Sequence, residues 1–369
     1  MRWIAMLAGI ATLGGCFERR TVDCGGGHLC PADQACAAPG HCGDPAQVEK
    51  CEAKQPWDTC AFTDITPGSC RFGVCEACTA DREGCGTGWR AMSVPTTAEL
   101  NAVWVVDRAD AYAVGDGGVL LHYDGTRWSA VLTSPPIATD IDLESIWGSS
   151  GDDFYVTSTH ANERNVLHIT NRTTLAYEMV GSDGMKAVWG TGVDNVYVAG
   201  FLGMIRQFDG AGWKQVSSGG QTLAKLSGAS ETRAFAIGTS GAIARLEGTQ
   251  WMTSTVSTPP VLTDVWASET EAFITGESRT LLRLSGSTWQ PVAFDATVPV
   301  GLHLYAVWGA GDRFYAVGDA GKIIQSTNGA DWIDASPNLG TNVLRAIGGT
   351  STSNIFVVGS NGGIWRYTD

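Results

Sequence analysis

The residues best equipped for chemistry in this chain are its cysteines, and they are gathered at one end: all 11 lie within the first 85 residues. A thiolate is a nucleophile and a metal ligand, whereas paired thiols in an oxidising compartment become cross-links. Cys75 and Cys78 have the spacing of a zinc or redox pair, with Cys70, Cys85, His28 and His41 close in sequence. A strong zinc signal needs two such pairs, and a thioredoxin-like centre needs a surrounding βαβ pattern. Neither is present. Leaving aside Cys16, the set Cys24, Cys30, Cys36, Cys42, Cys51, Cys60, Cys70, Cys75, Cys78 and Cys85 is even in number and reads as five disulfides, whose connectivity spacing does not reveal. The first four are evenly spaced and the last six form a second group. The segment has little Ile, Leu or Val to bury, so cross-links must stand in for a core. No metal and no cofactor is expected.

The rest of the chain carries no catalytic signature. There is no Gly-x-Ser-x-Gly elbow and no His-Glu-x-x-His. The six His residues are dispersed, and Arg127, Arg206, Arg245, Arg283 and Arg366 are scattered, whereas sialidase chemistry needs clustered Arg with a Tyr and carboxylates. The run Asp140-Ile141-Asp142-Leu143-Glu144 lacks the Gly and spacing of a calcium loop. No catalytic residue is assigned, and the chain is not expected to be an enzyme. With 24 Lys plus Arg against 38 Asp plus Glu, the net charge is −14. That excludes a nucleic-acid partner, since phosphate binding needs clustered basic residues.

The elements that would position a site are legible as repeats. An apolar residue followed by a short strand recurs as LNAVWV (100–105), LESIWG (143–148), MKAVWG (185–190), LAKLSG (223–228), LTDVWA (262–267), LYAVWG (304–309) and LRAIGG (344–349). The seven starts are 38 to 43 residues apart. Within each unit an alternating strand follows, such as AYAVG (111–115) or IFVVG (355–359), then a tight turn such as DGG, FLG, TSG, DAG or SNG. A third strand leads to a Gly-x-x-Trp turn and a short fourth strand. Alternation is the period of a half-buried strand. Four strands in about 40 residues, seven times over, predict an all-β, seven-bladed β-propeller of four-stranded blades over 86–369. The seventh unit lacks a fourth strand, while an orphan turn and strand stand before the first. Residues 89–94 are therefore expected to complete the last blade and close the ring. The Trp residues at 104, 147, 189, 266 and 308, and those at 89, 128, 213, 251, 289 and 332, recur at fixed repeat positions and read as packing between blades.

The N-terminus reads as an address. Met1 and Arg2 precede an 11-residue apolar stretch, Trp3 to Leu13, too short to span a bilayer. Leu13-Gly14-Gly15-Cys16 resembles the bacterial lipobox. That resemblance implies a signal peptide over 1–15, lipidation of Cys16, a linker over 16–23 and the disulfide segment over 24–85. Phe17 in place of Asp implies the outer membrane, with the protein periplasmic or surface-exposed. The Cys-rich run resembles segments of myxobacterial and other δ-proteobacterial lipoproteins. Ser326-Thr327-Asn328-Gly329-Ala330-Asp331-Trp332 resembles the Asp box of bacterial neuraminidase repeats, with one residue fewer and Asp331 in place of Thr. That motif is a structural turn and implies no activity. The propeller as a whole resembles photosystem II assembly factors, which implies a role in holding a protein partner.

Function in repeat folds sits where a repeat breaks its own pattern. The second unit does so, with His160, Asn162, Glu163 and Arg164 in place of a tight turn. Phe201, Glu277 and His303 are expected on the same face, as are the connections 132–142, 253–261 and 293–303. The reading is a monomeric, lipid-anchored scaffold for an envelope protein partner, with glycan binding as the alternative and glycoside-acting chemistry behind both.

Overall fold

A computed structural model describes residues 21–23, 29–31, 34–38, 41–52, 59–62, 65–71, 74–77, 88–160, 165–181, 183–256, 261–337 and 339–368. The expectations for Cys16, Cys24, Cys78, Cys85, Asn162, Glu163 and Arg164 lie outside these residues. The chain divides into two compact units, one up to Gly86 and one from Thr87.

The first unit is built from short pieces. Thr21–Asp23 pairs with Leu29–Pro31, and Ala35–Ala38 with His41–Gly43. Thr59–Phe62, Ile65–Arg71 and Val74–Ala77 form a three-stranded antiparallel sheet. One helical turn, Pro45–Glu49, starts at Asp44, whose side chain accepts from the N–H groups of Ala46 and Gln47. Disulfides join Cys30 to Cys42, Cys51 to Cys70 and Cys60 to Cys75, and Cys36 is also disulfide-bonded. The Cys51, Cys60 and Cys70 sulfurs lie within 4.8 Å of one another. Each is spent in a disulfide, so no thiolate is left to ligate a metal. Cys75 is bonded to Cys60, which removes the sulfur on which the C-x-x-C zinc alternative depended. Together with Phe62 these cysteines form the apolar centre of the sheet region.

The second unit is a seven-bladed propeller of four-stranded antiparallel sheets. The first six blades span 100–130, 143–178, 185–217, 223–255, 262–291 and 304–334. All seven first strands begin at the Leu or Met expected of them. The seventh blade takes three strands from the C-terminal end, Leu344–Ser351, Asn354–Gly359 and Ile364–Thr368, and its fourth from Gly88–Ala91. Closure is as the sequence predicts, with the strand one residue earlier and shorter: Met92 adds only one more bond, to the Ile364 carbonyl.

Seven apolar clusters fill the seven wedges between neighbouring blades. One rule organises the inner part of each wedge. The Trp at the fifth position of a first strand lays its six-membered ring against the sixth residue of the next first strand. A Cβ on Gly148 would meet Trp104 at 2.7 Å, one on Gly190 would meet Trp147 at 2.6 Å, and one on Gly228 would meet Trp189 at 2.7 Å. Gly309 stands in the same relation to Trp266, and Gly349 to Trp308. Two blades have no Trp there, with Ser227 and Gly348 instead, and the residues that follow around the ring are Ala267 and Val105. The neighbour is Gly only where an indole needs the room.

Two of the expected surface connections are packing elements. In 132–142, Ser134 pairs in parallel with Thr174 on the outer strand of the second blade, and Ile141 is buried. In 293–303, Phe294 pairs with Trp332, and Val298 and Leu302 are buried. Their length lets each descend the outer edge of the next blade before its first strand starts. The third, 253–261, is partly strand, because the fourth blade's outer strand runs from Gln250 to Thr255.

Candidate interaction face

The second-to-third-strand turns lie on the same end of the propeller as the connections between blades, and bond to them. Gly118 donates to the Ile141 carbonyl at 2.7 Å, Asp319 to that of His303 at 3.1 Å and Gly321 to that of Asn342 at 2.6 Å. This end is one mouth of the central channel. The turns place two successive residues in the left-handed region, for example Gly117 and Gly118 at φ 66° and 70°. Gly is natural there. At the first of these positions the third blade has Leu202, at φ 56°, and 62% of it is exposed.

Just inside the mouth lies the second residue of each first strand. The seven residues are Asn101, Glu144, Lys186, Ala224, Thr263, Tyr305 and Arg345, seven different types, all half-buried. Five of them link neighbouring blades. Asn101 donates to the Leu143 carbonyl at 3.0 Å, Lys186 pairs with Glu144 at 3.1 Å and Arg345 with Glu99 at 2.9 Å. Thr263 donates to the Leu304 carbonyl. Burial, with the charge of Asp319 beside it, raises the Tyr305 hydroxyl pKa.

The structure places three of the expected residues beside this ring. Phe201 carries the Lys186 ammonium 6.0 Å from its ring centroid. Glu277 acts electrostatically on Tyr305. His303 immediately precedes Leu304 and supplies the carbonyl that holds Asp319. His160 ends the regular part of the second blade, its N–H donating to Ser158 Oγ. Beside it, Asn165 is buried with its side chain fully used: it donates to the carbonyls of Gly181 and Asp183 and accepts from Val180 N–H. Asn165 is a structural staple that the sequence reading passed over.

Deeper in, the channel is a cavity of about 330 Å³ lined by the first strands. At the third strand position most blades have Ala or Ser, but the fourth has Lys225 and the fifth Asp264. No ion pair joins these two among the described residues. Burial raises the Asp264 pKa to about 6, against the opposing pull of Lys225 and the N–H groups of Val307 and Val265. Asp264 is the one carboxylate in this lining and Arg345 the one guanidinium. Paired carboxylates or an Arg cluster, which glycoside chemistry would use, are not among them.

Two of the dispersed His residues and three of the dispersed Arg residues share one repeat position. In every blade an aromatic residue of the second strand opposes a cation or amide on the third: Tyr112 and His122, Tyr155 and His168, Tyr197 and Gln207, Phe235 and Arg245, Phe273 and Arg283, Tyr315 and Gln325, Phe356 and Arg366. The residue two before the aromatic often completes the clasp. Asp110 takes His122 at 2.9 Å, Asp153 takes His168 at 2.7 Å and Glu271 takes Arg283 at 2.6 Å. His168 also meets Glu178 at 3.2 Å and stacks on Tyr155 at 4.1 Å. These are cross-strand pairs that stabilise blades. The signal was in the sequence as a position relative to each second strand, not as a motif.

The fold and the mouth define the class: a disulfide-bonded segment followed by a seven-bladed β-propeller. No protein-family model and no curated protein matches the sequence. Among solved structures, YCF48 bound to D1 peptide is similar with a TM-score of 0.63 at 16% identity, covering 76% of this chain and 95% of that one. Virginiamycin B lyase from Staphylococcus aureus is similar with a TM-score of 0.64 at 12% identity, covering 77% and 100%. The WD40 propeller domain of Doa1 reaches 0.61 at 10% identity, covering 77% and 98%. At these identities the likeness establishes the fold alone.

Proposed function

We propose that this chain is a lipid-anchored protein of the bacterial outer membrane, whose propeller holds a protein partner at the channel mouth and performs no catalysis. The observation that carries the reading is the turn Phe201-Leu202-Gly203. Its counterparts are polar at the first of these positions and small or polar at the second, as Asp116-Gly117, Thr239-Ser240, Asp319-Ala320 and Ser360-Asn361. Here an exposed Leu is held at positive φ, beside Phe201 and the charged ring. Backbone strain with an exposed apolar side chain is a reason to suspect function. The YCF48 structure with a D1 peptide supports the reading by analogy of fold. The lyase neighbour is an enzyme on the same fold, but the Asp264 and Lys225 channel offers no carboxylate pair for glycoside work.

The test is crosslinking of the full lipidated protein in its own membranes, with isolation and mass spectrometry. One stoichiometric envelope protein is expected, lost when Phe201 and Leu202 are both changed to Ser. Recovery of the same partner by that variant would remove this face from the reading. Saturable binding of soluble glycans, with added thermal stability, would favour the lectin alternative.

A further inference from the structure

The outer strands of the blades are the exposed edges of this fold, and edges invite pairing with another chain unless they are blunted. Six of the seven are blunted. The first blade's outer strand, Trp128–Ala130, has three residues, and the sixth, Ile333–Asp334, has two. The second, Thr174–Glu178, is joined by Ser134. The third carries Lys214, the fifth ends in Pro291 and the seventh carries Arg90.

The fourth blade's outer strand has none of these devices. Gln250–Thr255 is six residues long, reads QWMTST, and contains no charge and no Pro. Every residue in it except Trp251 is exposed, and Met252 at its centre is 53% exposed. The turn before it leaves Glu247 opposite Gln250 across two residues, a register that makes Arg245–Met252 and Ile243–Ser254 the bonded pairs. Val256 N–H continues the same phase, donating inward to the Gly241 carbonyl at 3.0 Å. Residues 251, 253 and 255 therefore direct their N–H and C=O groups away from the blade. Among the described residues nothing else hydrogen-bonds to them.

Two concavities flank the strand. One of about 260 Å³ is lined by Gly219, Gly220 and Thr253, and one of about 680 Å³ by Val256, Arg279 and Trp289. The Trp251 Nε1–H is buried without an acceptor, although the Trp213 and Trp332 indoles at the same repeat position have one.

We infer that the outer strand of the fourth blade is a second docking site, which takes an extended segment of another protein as a fifth strand. The free main-chain groups specify backbone as the ligand, and the two concavities suit alternate side chains of an added strand. A second copy of this chain fits less well, because a flat edge would leave both concavities unfilled and each copy carries a net charge of −14. The same charge makes the expected segment neutral to basic. The inference rests on the edge strand and not on the Phe201 and Leu202 side chains, although Gly203 of that turn also lines the smaller concavity.

The experiment selects displayed 12-residue peptides on the full chain. Selected sequences are then synthesised with and without N-methylation at alternate residues. Alternating, Pro-free, neutral-to-basic peptides are expected, losing at least tenfold in affinity on methylation. Thr253→Pro removes only an outward N–H and should cost at least tenfold. Met252→Lys, which blunts the edge without touching the ladder, provides the check if Thr253→Pro misfolds. Amide exchange should slow at residues 251, 253 and 255 alone. Changing Phe201 and Leu202 to Ser should leave all of this intact, so failure at the mouth and failure at the edge are separable. Peptides that ignore both edge variants, or no enriched peptide at all, would overturn the inference. So would a concentration-dependent dimer abolished by Thr253→Pro, which would assign the edge to self-pairing.

Discussion

Leu202 and His168 show how much a single position can carry in a repeated fold. A side chain with a Cβ in the left-handed region costs about 1–2 kcal/mol, and Asn tolerates it best after Gly. Leu202 is mostly exposed and has little packing to lose. Leu202→Asn is therefore expected to raise stability by roughly 0.5–1 kcal/mol, read from the urea midpoint, while weakening partner capture. Unchanged stability would mean that the turn carries no strain. At His168, burial opposes the charge, but hydrogen bonds and charge from Glu178 and Asp153 outweigh it and raise the pKa. A raised folded pKa stabilises fully below the unfolded value of about 6.5, and the gain is lost as pH rises through the folded value. Glu178 is shifted the other way by His168 and Trp213, against its own burial, so its contribution fades as pH falls. His168→Gln should thus lower the melting temperature most between about pH 5 and 6.5, with the deficit shrinking by pH 8. A constant deficit across that range would show that the imidazole acts by shape.

Strands were the most legible elements, because a period of two is written locally in every unit and a Gly marks most of the turns. The pairing of Trp with Gly on the next blade was equally present in the letters, yet it needs the order of blades before it can be read. The same holds for the clasps, where Asp153 and His168 are 15 residues apart and become neighbours only in register. The connections 132–142 and 293–303 lie on the expected end, but their packing was not legible. A long polar stretch with Pro looks like a loop tip, and only contact with the next blade makes Ile141, Val298 and Leu302 core. The Trp–Gly rule can be tested where nature omits it. Ser227→Trp should collide with the Ala267 Cβ and cost about 1–3 kcal/mol. Ala267→Gly alone should cost about 0.5–1 kcal/mol. Combined, they rebuild the pair found at five other interfaces, and a favourable coupling of about 1 kcal/mol or more is expected from the double-mutant cycle. Simple additivity would mean that Gly148 and its equivalents serve the backbone and not the indole.

At the scale of the whole molecule, closure by Gly88–Ala91 makes every blade equivalent in having two neighbours, and it creates a channel that no blade possesses alone. That is why the sequence could announce the ring but not its interior: Lys225 and Asp264 look like ordinary surface charges in their own strands. They face a narrow lining only because seven first strands converge. Asp264 is held there by function or by its bond to Val307 N–H, which it accepts at 2.9 Å. Asn keeps an acceptor for that bond and removes the charge. With the folded pKa raised to about 6 by burial, the native state loses stability as pH rises from the ordinary carboxylate value of about 3.9 through 6. Asp264→Asn should therefore melt with the native chain at pH 4 and above it at pH 7.5, the gap opening across that window. A gap of the opposite sign at pH 7.5 would mean that the carboxylate is stabilised by Lys225 more than burial penalises it, and the channel would then be a matched ion site.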